Sequence, residues 1–222
     1  MSTQTTDIYR FTPVYALICI VDLVVMQHFP EYRYYTKPLI MISLMGYFWA
    51  STEGVSHRAK WLFIAALVFA LGGDTFLMWD DWFIFGLLSF MLMQVVYTVC
   101  FTDGDNYHGR RELVFGGILA LFVGIMNVFL WPHTGDMRIP VIVYTLAIAI
   151  MSYMAYTRDL TGVGYSTVWY GTLFFVLSDS LLAINLFVDD LNLGGWTVMM
   201  TYVIAQILIV EGFVRYLLAH RR

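Results

Sequence analysis

Asp74 in FALGGDTFLMW and Asp179 in FFVLSDSLLAINLF lie inside segments too apolar to carry a carboxylate without a reason. A charged side chain at the centre of a membrane-spanning helix costs about 2.5–3.5 kcal/mol, so such residues face a cavity or a partner and mark function. Two acids sharing one cavity repel each other and lose solvation. Both effects favour keeping a proton on one while the other stays a carboxylate, which gives an acid and a base without a metal. Gly72 and Gly73 precede Asp74 and allow a neighbouring helix to come close, and Ser178 could donate to a carboxylate.

Around these acids the sequence offers neutral hydrogen-bonding groups in otherwise apolar runs: Gln94, Tyr97, Tyr144, Asn185, Tyr202 and Gln206. Singly, each is as readily packing glue between helices; together they could orient a polar substrate head. Lys37 stands where a long side chain can snorkel to the headgroups, or meet a lipid phosphate. Asp22 in CIVDLVVMQHF is a third buried acid, free to face the same cavity or to pair with a base. Glu211 lies one helical turn before Arg215, the spacing of a salt bridge.

Metal chemistry has little to build on. His57, His108, His133 and His220 fall in loops or the tail, and His28 closes the first apolar run. No H-x-x-x-H or Cys–His cluster occurs. Cys19 and Cys100 sit in apolar segments as small packing residues. Neither a glycine-rich phosphate loop nor a G-x-S-x-G elbow is present. No metal, no organic cofactor and no nucleic-acid partner is expected.

The elements that must position these residues follow from composition. Sixty per cent of the 222 residues are hydrophobic and 13% are charged, more apolar surface than a soluble core of this size can hide. The chain reads as an all-α, integral, multi-pass membrane protein: one domain over 1–222, with a polar N-terminal tail at 1–10 and a basic C-terminal tail at 219–222. Its first apolar run has no cleavage site after it and is expected to be retained. Eight runs approach spanning length, at 11–29, 37–51, 60–79, 82–101, 112–131, 138–157, 165–187 and 195–218. They are continuous, not alternating, which argues against a β-barrel.

Arg10, Arg58, Lys60, Arg110, Arg111, Arg158, Arg215, Arg221 and Arg222 fall on one side of this topology; Arg33, Lys37 and Arg138 fall on the other, which also carries the pairs Asp80–Asp81 and Asp189–Asp190. The positive-inside rule then places both termini in the cytoplasm. Asp74 and Asp179 each lie fourteen residues into their spans, counted from 60 and 165, roughly 20 Å from the cytoplasmic edge at 1.5 Å per residue. Other features echo between the halves. Lys37–Pro38 opens one span and Arg138-Ile139-Pro140 another, with proline expected in the first helical turn. Gln94 and Tyr97 answer Gln206 and Tyr202, in reversed order. A parallel 4+4 repeat about an axis along the membrane normal would give this pattern.

Lys-Pro-Leu at 37–39, Gly-Asp at 73–74, a polar residue before Tyr97, Tyr144 and Met151 in VYTLAIAIM, LSDSLLAIN at 177–185 and Ala-Gln at 205–206 together resemble the YhhN-like lysoplasmalogenase family, from about residue 33 to 213. The resemblance implies an eight-helix membrane hydrolase that cleaves the vinyl ether of lysoplasmalogens, releasing a fatty aldehyde and glycerophosphoethanolamine or glycerophosphocholine. On that reading Asp74 and Asp179 are the family's two acids. Lys37, Gln94, Tyr97, Tyr144, Asn185 and Gln206 are then the substrate-binding set, with lysophospholipid and membrane lipids as partners. Gln94 stands where many members carry histidine, and glutamine cannot shuttle a proton. A proton-coupled transporter or a catalytically silent lipid-binding protein would also accommodate paired intramembrane acids.

Overall fold

Each apolar run becomes one helix: α1 Gln4–His28, α2 Arg33–Ser51, α3 Arg58–Phe76, α4 Phe83–Phe101, α5 Arg110–Leu130, α6 Arg138–Thr157, α7 Tyr165–Phe187 and α8 Gly195–Ala219. The structure, a computed structural model, describes residues 4–55, 58–102, 109–158, 162–188 and 194–220. His57, His108, the Asp189–Asp190 pair, Arg221 and Arg222 lie outside the described residues. Short 3-10 turns at Pro30–Tyr32, Asp80–Trp82 and Gly135–Met137 lead into α2, α4 and α6. Among the described residues, seven of the helices are long and apolar enough to cross a bilayer. The other is α2, whose first turns carry Arg33, Tyr34, Tyr35, Thr36 and Lys37 in place of aliphatic residues.

Local chemistry sets several boundaries. The Gly109 N–H donates to Oε2 of Glu112 at 2.8 Å, which satisfies one of the free N–H groups at the start of α5. Gly164 and Gly194, with φ of 83° and 76°, turn the chain into α7 and α8 through a backbone conformation that side chains disfavour. Two boundaries differ from the sequence reading. α1 begins at Gln4, so much of the segment read as a polar tail is helical. α2 begins at Arg33, which puts Pro38 in the helix interior and not in the first turn. The proline ring lacks an N–H and so deprives the Tyr34 carbonyl of its usual partner. Pro140, the third residue of α6, does occupy a first turn.

The same neighbours recur in both halves. α1 packs beside α2 and α5 beside α6; α2 meets α3 and α6 meets α7; α3 pairs with α4 and α7 with α8. Across the halves, α2 touches α8 and α4 touches α6. Exchanging the halves, α1–α4 for α5–α8, maps each of these neighbour pairs onto another. The match is not complete, since α1 also leans on α8 whereas α5 leans on α7.

Lipid is as apolar as leucine, so burial alone does not drive helices together in a bilayer; close packing and hydrogen bonds do. The α7–α8 hairpin shows how. A Cβ on Gly171 would stand 2.9 Å from the Ile209 nitrogen, and one on Gly212 would stand 2.7 Å from the Val168 nitrogen. Only glycine lets the two backbones meet there. Within the bundle, the Phe63 ring stacks between Phe48 and Phe213 at 4.7 and 4.3 Å, tying α3 to α2 and α8. The outer surface is the reverse: Leu113, Leu121 and Val128 of α5 stand exposed, Val128 at 76%. A membrane covers such a face; water would not tolerate it.

Candidate active site

At one end of the bundle, a cavity of about 410 Å³ opens between the first turns of α2 and α8 and the last turns of α3 and α7. That volume lies within the range of small-molecule sites, about 300–1,000 Å³. Its wall carries Arg33, Lys37, Asp74, Asp179, Asn185 and Tyr202. The two aspartates singled out by the sequence therefore share one cavity. A second, narrow cleft of about 60 Å³ runs between α4, α5, α6 and α7, lined by apolar side chains such as Phe83, Phe122, Met126 and Ile148. Leu77, Phe90, Asp179 and Leu182 belong to both walls. Asp179 thus sits at the junction of a polar chamber and an apolar one.

Asp74 is held by charge. Nζ of Lys37 lies 3.5 Å from its Oδ1, and the Tyr202 hydroxyl donates to Oδ2 at 2.7 Å. Both Asp74 and Lys37 are buried, and an ammonium beside a carboxylate offsets the expense of burying either. Close approach of α4 makes room for this. A Cβ on Gly73 would fall 2.7 Å from the Phe90 ring, so the glycine lets that ring close the site next to Asp74.

Asp179 is held by neutral groups. The Tyr144 hydroxyl donates to its Oδ2 at 2.6 Å and the Gln94 amide donates to the same oxygen at 3.3 Å. No described residue hydrogen-bonds Oδ1, which stays reachable from the cavities. Oε1 of Gln94 is buried without a partner, so this amide is fixed through its nitrogen alone. Under exchange of the halves, α2 and α8, which hold Asp74, map onto α6 and α4, which hold Asp179. The positions correspond while the chemistry differs.

Tyr97 and Gln206 take another place. The Tyr97 hydroxyl donates to Oε1 of Gln206 at 3.1 Å, and Nε2 of Gln206 reaches the Met93 sulfur at 3.6 Å. Both residues are fully buried and neither lines the polar cavity or the apolar cleft. They bond to each other between α4 and α8. Gln94 likewise lies behind Asp179 and not on the wall, whereas Tyr144 lines the apolar cleft, and Lys37 and Asn185 line the polar cavity. Ser178 lines the polar cavity too, but its hydroxyl donates to the Val198 carbonyl at 3.0 Å and not to a carboxylate.

Tyr202 and Arg33 complete the wall. The sequence placed Tyr202 among the general hydrogen-bonders and Arg33 among the loop charges; helical spacing of Arg33 with Lys37 was the signal that could have found it. Asp22 pairs on the base side of its two readings: it accepts from Thr36 at 2.7 Å and stands 3.9 Å from Arg33. Glu211 binds Arg215 at 2.6 Å, as its spacing implied, and also accepts from Tyr47. Both cysteines are buried, and neither forms a disulfide. Among the described residues, no group of three His, Cys, Asp or Glu side chains converges as a metal site would require.

Apolar helices around a two-acid cavity define an integral, multi-pass membrane protein with an intramembrane polar site. The chain belongs to the YhhN family, whose pattern matches residues 32–213. Lysoplasmalogenase TMEM86B of Sus scrofa is 31% identical over 173 residues, covering 78% of this chain and 71% of that protein. A lysoplasmalogenase of Mycobacterium tuberculosis is 30% identical over 177 residues, 74% of this chain and 64% of its own length. Lysoplasmalogenase TMEM86B of Homo sapiens aligns at 27% identity over 219 residues, 96% of this chain and 91% of that protein. No solved structure matches the chain.

Proposed function

We propose that this protein is a lysoplasmalogenase, a hydrolase that cleaves the vinyl ether of a lysoplasmalogen. The observation that carries the reading is the place of Asp179, where the polar cavity and the apolar cleft meet. A lysoplasmalogen has the same layout: a glycerophospho head, a hydrocarbon chain, and the vinyl ether between them. With the head in the polar cavity and the first carbons of the chain entering the cleft, the reacting carbons come to Asp179. The names of the relatives support the same substrate class.

Vinyl ether hydrolysis begins with slow protonation of the β-carbon, which leaves an oxocarbenium ion at the carbon bonded to oxygen. Water adds there and gives up a proton, and the hemiacetal collapses to an aldehyde and the glycerol hydroxyl. The balance is one water consumed and no net proton. Asp179 fits the donor, because both its hydrogen bonds go to Oδ2 and leave Oδ1 free to carry and deliver a proton. Asp74 fits the carboxylate, because Lys37 compensates its charge; it stabilises the cation and receives the proton of the attacking water. Lys37 and Asn185 hold the polar head, Tyr144 and Gln94 orient Asp179, and the Tyr97–Gln206 pair secures the helices behind the site. With both termini cytoplasmic, as the distribution of arginine and lysine favours, the cavity faces the opposite side of the membrane.

The test is aldehyde release from lysoplasmalogen by the purified protein, beside the saturated alkyl-ether analogue. The vinyl ether is expected to be cleaved and the alkyl ether to survive. An inactive protein rules out the hydrolase reading for this substrate, and cleavage of the saturated ether rules out protonation at carbon.

A further inference from the structure

The wall of α2 carries a second cation whose hydrogen bonds are unfinished. Arg33 and Lys37 are four residues apart, so they share one helical face, and both line the polar cavity. Lys37 is engaged with Asp74. Arg33 is only loosely engaged: its Nε stands 3.9 Å from Oδ2 of Asp22, beyond hydrogen-bond reach. Both of those atoms are buried and have no hydrogen-bond partner. Asp22 is fully buried, and its other oxygen is fixed by the Thr36 hydroxyl at 2.7 Å. Thr36 lies on α2 between the two cations, so Asp22 is anchored to the helix that presents them.

This arrangement leaves one edge of the guanidinium available. With Nε turned toward Asp22, the terminal nitrogens remain to meet the contents of the cavity, and the side chain keeps 26% of its surface exposed. No other acid among the described residues pairs with it. A guanidinium edge is a planar fork that matches two oxygens of a phosphate, and an ammonium one turn away supplies a second positive charge. The two cations face two acids, Asp22 and Asp74, so the wall is balanced before a ligand arrives and takes an anion through unused donors.

We infer that Arg33, oriented by Asp22 and set beside Lys37, reads the phosphodiester of the lipid head and makes the site prefer phosphate-bearing lysolipids to neutral glycerol ethers. This rests on the hydrolase reading and adds to it the residue that selects the substrate. Asp22 is a positioning residue, since it acts through Arg33.

The experiment compares kcat/KM of the full-length purified protein for an alkenyl lysophosphatidylethanolamine and for the corresponding 1-O-alkenylglycerol. Wild type is expected to prefer the phospholipid. Arg33→Gln is expected to raise KM for the phospholipid about 10- to 100-fold, the range of a charged hydrogen-bonding contact, so that the preference collapses. Asp22→Asn shifts the ratio in the same direction by less. A purely structural Arg33 would depress both substrates alike; an unchanged ratio overturns the inference while the hydrolase reading stands. Should wild type cleave neither substrate, binding of the uncleavable 1-O-alkyl lysophosphatidylethanolamine against 1-O-alkylglycerol takes over. Loss of the affinity difference in Arg33→Gln upholds the clamp, and its persistence overturns it. Millimolar inorganic phosphate should leave the phospholipid KM unchanged; competitive inhibition that Arg33→Gln abolishes would reassign the clamp to free phosphate.

Discussion

Asp74 and Asp179 occupy corresponding helices of the two halves and are held by opposite means. Asp74 has a buried ammonium at 3.5 Å and a phenol on its other oxygen, so its charge is compensated on the spot. Asp179 has two neutral donors crowded on one oxygen and a second oxygen turned to the cavities. Corresponding positions thus give the two acids different surroundings. In the mechanism proposed above, one supports a standing negative charge and the other passes a proton to carbon. The contrast also separates stability from activity, because removing a member of the charged pair strands its partner whereas altering the neutral set strands nothing ionic.

The most severe test of this contrast is Asp179→Asn. It is expected to lower kcat for lysoplasmalogen about 10³-fold, within the range of a lost acid catalyst, with thermal unfolding in detergent unchanged. Retention of even a tenth of the activity by the folded variant would remove Asp179 from the donor role. Asp74→Asn is expected to lower kcat about 10²-fold and, unlike the first variant, to lose about 3 kcal/mol of stability, because Lys37 is left buried without its counter-charge. The double variant Lys37→Met/Asp74→Leu should recover Tm but not activity. If it stays as unstable as Asp74→Asn, the ion pair is not what distinguishes the halves.

Smaller effects sharpen the neutral side. Tyr144→Phe removes the short hydrogen bond to Asp179 and is expected to lower kcat about tenfold, in line with the loss of one hydrogen bond. Gln94→Leu should cost only a few-fold, since its bond is long and its other amide atom is already without a partner. Steady-state rates of the two variants side by side give the order; a greater loss from Gln94→Leu would reverse the roles assigned to them.

Much of the framework could be read from residue patterns. Expected and observed bounds coincide for the spans at 138–157 and 165–187, because polar turns bracket uninterrupted apolar runs there. The start of α2 was obscured: Arg33, Tyr34, Tyr35 and Thr36 look like a loop by hydropathy, yet they form helix, where Arg33 lines the cavity, Thr36 donates to Asp22 and Tyr34 stacks on Trp79. Proline also misled at position 38, where an interior break is tolerated by the packing around it. Asp74 and Asp179 stood out because a carboxylate in hydrocarbon is so unfavourable. Their partners did not, since a tyrosine or glutamine in a helix has several neighbours within reach and helix rotation decides among them. Tyr97 and Gln206 illustrate this. Their residue types suit a polar head, but rotation turns them toward each other.

The two tight hairpins have a mechanical consequence. α3–α4 carries Asp74 together with Gln94, which holds the opposite acid; α7–α8 carries Asp179 together with Tyr202, which holds Asp74. Each hairpin therefore grips the other's carboxylate, like two hands clasped at the wrists. A tilt of either hairpin pulls on both acids at once, so the spacing between the two carboxylates is geared to the bundle as a whole and not to any single helix.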